Sequence, residues 1–230
     1  MILFTPISVA NGLAPHAHGN LNYFLSSDSP RVLIGSGLHG DEYEVIPLLI
    51  ETLIRLKDQL PPFICIPALS PSAVARRTRI NQEGIDLNRN FNNPLLVSPE
   101  IEAIKKIVGR YQPYETVLTV HQDLARAEAY LYDGCLTPHD EKVKAWQLAV
   151  RQQGVQLLNE CDDLDDPCLG MNFRDGYYNF DPTTDTFIET FETWSSLHAG
   201  AKRNITLEVP TLISDDQKRW VIEQSLLTLL

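Results

Sequence analysis

The chain has 230 residues, 43% hydrophobic and 21% charged, with a formal net charge of −11. That length allows one sizeable core and one domain over 1–230; no apolar run approaches the roughly 18 residues of a membrane span, and the acidic balance argues against nucleic acid, which needs a basic face. Residues 1–13 (MILFTPISVANGL) lack the basic lead-in of a secretory signal, and Cys65, Cys135, Cys161 and Cys168 form no tight framework, so free thiols and a cytoplasmic location are expected.

Short β-rich runs alternate with amphipathic helices, which predicts an α/β sheet covered on both faces. Residues 15–20, holding His16 and His18, read as a loop. Residues 31–35 (RVLIG) predict a buried strand that runs into a glycine-rich loop over 36–40, then a helix over 45–60 stopped by Pro61 and Pro62. A second strand is predicted over 63–68 and a helix over 99–110. Residues 116–120 (TVLTV) predict a strand delivering His121 at its end. A helix over 140–153, a strand over 204–209 carrying Glu208, and a closing helix over 215–229 complete the pattern. Residues 76–93 are polar and rich in arginine and asparagine, which suggests an ordered functional loop. Residues 159–185 are acidic and aromatic, punctuated by glycine and proline, and read as a long surface excursion.

Four blocks carry chemistry. His39 and Glu42, three residues apart in Gly37-Leu38-His39-Gly40-Asp41-Glu42, can reach one metal from a tight turn, and both are ordinary zinc ligands. Alone the pair is a weak signal, because chance supplies it easily. His121 lies at the open end of a predicted strand, where α/β sheets bind ligands; with the first pair it makes a His₂Glu set that leaves a position for water. The block from Arg76 to Phe91 holds four arginines and three asparagines in an acidic chain. A guanidinium beside an amide suits clamping of a carboxylate, and a further arginine near a metal suits an oxyanion. Glu208 sits on an otherwise apolar strand, where burial raises a carboxylate's pKa and makes it a useful base.

The ordered set HGDE, then R-x-x-R-x-N-x-x-G-x-D-L-N-R-N-F, then a strand-end histidine, then L-E-x-P resembles the zinc carboxypeptidases of the carboxypeptidase A superfamily. It is similar especially to their small bacterial branch, which includes murein peptide amidases. The resemblance implies a three-layer α/β/α sandwich around a mixed, largely parallel eight-stranded sheet. It implies one Zn2+ held by His39, Glu42 and His121, with Asp86 orienting His39, and Glu208 as general base and then acid. It implies Arg76 polarising the scissile carbonyl, Asn88 and Arg89 binding a free substrate carboxylate, and Arg79 lining the same pocket. Family members place a substrate-binding tyrosine on a loop before the catalytic glutamate; Tyr177 and Tyr178 lie upstream of Glu208, and Tyr178 is the candidate.

The activity implied is hydrolysis of an amide next to a free carboxylate, in a C-terminal residue or a murein-type peptide. Zinc deacylases of the desuccinylase and aspartoacylase type are the alternative, giving an acyl-amino-acid substrate. They share the His/Glu/His set but usually lack the full Asn88–Phe91 ending. A binding protein with a degenerate site would be missing a ligand or Glu208, and none is missing. The Asp162–Asp166 run reads as a solvated acidic loop.

Overall fold

The computed structural model describes residues 13–163, 166, 169–184 and 189–230. The expectations for the N-terminal segment, other than its final residue Leu13, and for Cys168 lie outside these residues.

The β-branched and aliphatic runs form strands β3 (Val32–Ser36), β4 (Phe63–Ile66), β5 (Thr116–Asp123) and β9 (Arg203–Pro210). β3 pairs in parallel with β4 and β5, and β5 pairs in parallel with β9. Two further strands, β1 (Ala14–His18) and β2 (Leu21–Leu25), form a hairpin on the β4 edge. On the other side β6 (Glu128–Gly134) runs antiparallel to β9 and carries β7 (Gln156–Leu157) and β8 (Tyr177–Phe180) on its outer edge. The α/β reading holds, with nine strands among the described residues rather than eight.

Helices cover both faces. The apolar stripes of α1 (Val45–Leu56), α4 (Asp140–Gln152) and α6 (Asp215–Leu229) share one core with Ile34, Leu118, Ile205 and Leu207. Helices α3 (Pro99–Tyr111) and α5 (Phe191–His198) contribute to the core on the other face with Leu33, Ile64 and Val117. The short α2 (Pro71–Arg76) leads into the arginine-rich block. Start signals are visible in the chain: Ser214 and Gln217 form a reciprocal capping box at α6, an arrangement worth about 1 kcal/mol. Away from the site, Arg203 donates from Nε and Nη2 to the two oxygens of Asp133 at 2.7 and 2.8 Å, fully buried, which locks β6 against β9.

Several local expectations change. The first helix ends at Leu56, because residues 57–59 turn before the proline pair. The strand of His121 runs on to Asp123, since β9 continues to pair with it. His16 and His18 lie in β1, where His16 stacks on Tyr23 at 5.0 Å. The excursion is only partly surface: Tyr177–Phe180 joins the sheet, and Asp162 is buried. Cys65, Cys135 and Cys161 are free thiols. Among the described residues no helix is long and apolar enough to cross a membrane.

Candidate active site

Three parallel strands end at one cavity. The loop after β3 is shaped by Gly37, whose φ of +62° suits glycine, and by Gly40, where a Cβ would meet the Ala73 backbone at 2.0 Å. The glycines therefore press this loop against α2, and His39 and Glu42 emerge from it buried. His121 on β5 pairs in register with Glu208 on β9, and Glu208 with Tyr130 on β6. In-register neighbours on adjacent strands point to the same face, so one row of the sheet delivers a candidate ligand, a candidate base and a tyrosine. All three line a cavity of about 610 Å³, a size suited to a small substrate.

His39 Nδ1 lies 2.5 Å from Glu42 Oε1, and His121 Nδ1 lies 2.9 Å from Glu42 Oε2. Ligand atoms of the three residues fall within 4.8 Å of one another, so the group could hold a metal ion. The far nitrogens face carboxylates: His39 Nε2 is 3.2 Å from Asp86 Oδ1, and His121 Nε2 is 3.3 Å from Glu192 Oε1. Burial alone would push both imidazoles down, but Glu42 and these carboxylates hold them above their ordinary value. Glu42, despite its burial, is held well below the usual range by the two histidines.

Asp86 caps the 3-10 turn Leu87–Arg89 by accepting from Asn88 N at 3.0 Å, and it takes Arg79 Nε at 2.8 Å. Burial opposes its ionisation, yet His39 and Arg79 bring it down to about 2. The turn presents Asn88 and Arg89 to the cavity. Asn88 Oδ1 accepts from Phe191 N at 2.9 Å, and Arg89 donates to Asp166 at 2.7 Å. Glu208 is half-buried, and its desolvation, with Glu42 and Asp123 adding to it against His121, pushes its pKa up to about 8.

Two of the residues expected to contact substrate lie outside the cavity lining. Arg76 is exposed at the end of α2 and is not among the residues that line the cavity, whereas Arg79, beyond the left-handed Arg77 that ends the helix, lines it. Tyr178 does not line it either. It packs in an aromatic cluster with Tyr132 and Phe173 at 6.4 and 5.8 Å. The tyrosines of the cavity are Tyr130, whose hydroxyl donates to Asp123 at 2.7 Å, and Tyr132, which donates to Asp162. The strict alternation of Glu128–Gly134, with Ala129 and Leu131 in one core and the two tyrosines opposite, was the available signal for them. Glu192 had no such signal, since no sequence spacing ties it to His121. Within the acidic run, Asp162 differs from a solvated residue: it is 7% exposed and accepts from the backbone N of Asp163, Gly170 and Met171.

Residues 28–141 match the model of the succinylglutamate desuccinylase/aspartoacylase catalytic domain. That span holds His39, Glu42, Asp86, Asn88, Arg89 and His121. Among solved structures, a protein assigned as a metallopeptidase from Shewanella denitrificans OS217 superposes with a TM-score of 0.69 at 22% identity, over 94% of this chain and 82% of that one. The fold is the metallo-carboxypeptidase fold. A metallo-carboxypeptidase from Pseudomonas aeruginosa, in complex with (2-guanidinoethylmercapto)succinic acid, superposes at 0.63 with 16% identity, over 95% of this chain and 64% of that one. The murein-tripeptide amidase MpaA from Escherichia coli O157 superposes at 0.58 with 20% identity, over 90% and 86%. No curated protein matches the chain. The chain thus shares the fold of these metallopeptidases and amidase, and its residues 28–141 resemble the desuccinylase/aspartoacylase catalytic domain.

Proposed function

We propose that the chain is a zinc-dependent hydrolase of an amide bond beside a free carboxylate, in a peptide. The observation that carries this reading is the convergence of His39, Glu42 and His121 in the cavity that Glu208 and Arg89 also line. Two imidazoles and a carboxylate suit zinc and leave a further position open. When bound, zinc supplies Lewis acidity and a water acidified to about pKa 7.

The remaining work belongs to the chain's own side chains. Glu208, whose basicity is raised by burial, takes the proton of the attacking water at its carboxylate and returns it to the leaving amine. Arg79, which lines the cavity as Arg76 does not, donates to the carbonyl oxygen as it gains charge. Arg89, with Asn88 held beside it by Phe191, grips the substrate carboxylate and so positions the amide. Tyr130 and Tyr132 form an apolar-bodied wall with their hydroxyls turned to Asp123 and Asp162.

The match over residues 28–141 favours a second reading, a deacylase that removes an acyl group from an amino acid. A hydrolysis screen with zinc-loaded protein tests both, comparing C-terminal peptides, murein tripeptides and N-acyl amino acids. Turnover of peptides is expected; turnover confined to N-acyl amino acids would move the assignment to the second reading.

A further inference from the structure

The first turn of α5 brings Glu192 beneath the metal-site histidine. The side chain is 3% exposed, and a buried carboxylate is costly unless it is bonded. Its Oε1 accepts from Thr119 Oγ1 at 2.6 Å and faces His121 Nε2 at 3.3 Å. Burial works against its ionisation, while His121 and Thr119 favour the charged form. An acceptor at Nε2 keeps the imidazole proton there and leaves the lone pair on Nδ1, which is turned toward Glu42 at 2.9 Å. His39 has the same arrangement with Asp86 behind it. Two carboxylates from unrelated segments therefore set two imidazoles in the same sense.

A purely structural contact between α5 and β5 is the competing explanation. The helix is already fixed without His121. Thr119 holds the Glu192 side chain, Asn204 Nδ2 donates to the Glu192 carbonyl at 3.2 Å, and Phe191 N donates to Asn88 Oδ1 at 2.9 Å. We propose that Glu192 is a positioning residue for metal binding, acting by holding His121 in its ligating tautomer and orientation. This rests on the metal-site reading of His39, Glu42 and His121. The same turn supports Asn88, so one helix start braces both the metal site and the carboxylate clamp.

The test uses the full chain as Glu192→Gln, which keeps an acceptor oxygen but loses the charge, and Glu192→Leu, which loses both. Zinc affinity is measured by competition with a chromophoric chelator, and the visible spectrum of cobalt-substituted protein reports ligand geometry. Loss of such a carboxylate support typically weakens metal binding about 10- to 100-fold. That loss is expected in Glu192→Leu with an altered cobalt spectrum, and a smaller loss in Glu192→Gln. Should the leucine variant not fold, a folded glutamine variant with wild-type affinity overturns the proposal. So does a leucine variant whose metal-free melting point drops while its zinc affinity and cobalt spectrum stay as in the wild type. A wild-type chain that binds no zinc would instead overturn the metal-site reading beneath it.

Discussion

Arg89 Nη2 donates to Asp166 Oδ2 at 2.7 Å, so the guanidinium assigned to the substrate already faces a carboxylate of the chain's own acidic segment. A substrate carboxylate must displace that contact. Partly exposed pairs of this kind are worth up to about 1 kcal/mol. Asp166→Asn is therefore expected to lower KM up to about fivefold with kcat little changed. Steady-state kinetics check this, and a raised KM would show that Asp166 helps to hold the substrate.

The two arginines at the ends of the polar block should behave differently. Arg89→Met removes a charge-assisted clamp, so KM is expected to rise at least about tenfold, in line with 1.5–3 kcal/mol for hydrogen bonds to charged groups. Arg76 is exposed and outside the cavity, so Arg76→Ala should leave both constants nearly unchanged. Equal damage from the two variants would restore Arg76 to the site.

Glu208→Gln keeps the size of the side chain and leaves the three candidate ligands intact. Zinc stoichiometry by metal analysis should stay that of the wild type, while kcat falls about 10²- to 10⁴-fold. Full activity would remove Glu208 as the base.

The raised pKa of Glu208 also has a stability consequence. The metal-free folded chain keeps a proton on Glu208 up to about pH 8, whereas the ordinary value is 4.5. Between those limits the folded state binds more protons than the unfolded one, so stability falls as pH rises through the window. Melting curves of metal-free wild type and Glu208→Gln should diverge from pH 4.5 toward pH 8, the variant gaining. A wild type that gains relative to the variant over that window would contradict the assignment.

How much of this was legible in the chain follows from what each residue depends on. Strands β3, β4, β5 and β9 and the closing helix depend on local apolar pattern, and their positions were readable to within a few residues. The placement of His39, Glu42, His121 and Glu208 near one another was foreshadowed because the first two follow such a strand and the last two lie near the C-terminal ends of others. Which arginine of the polar block reaches the cavity was not legible, because α2 ends at Arg76, Arg77 turns the chain through a left-handed conformation, and only the folded loop beyond it brings Arg79 to the cavity. The place of Tyr178 in the aromatic cluster was not legible, because it is set by the pairing of β8 with β6, a long-range contact without a local signature. Glu192 depends on α5 docking against β5, again a tertiary event.

The central claim is metal-dependent amide hydrolysis at this cavity. It is tested most directly by measuring amine release from the substrate panel with the wild-type chain as purified, after chelation, and after zinc is restored. Turnover should vanish on chelation and return with about one zinc per chain. Hydrolysis that survives complete chelation, or none in zinc-loaded protein across the panel, would contradict it.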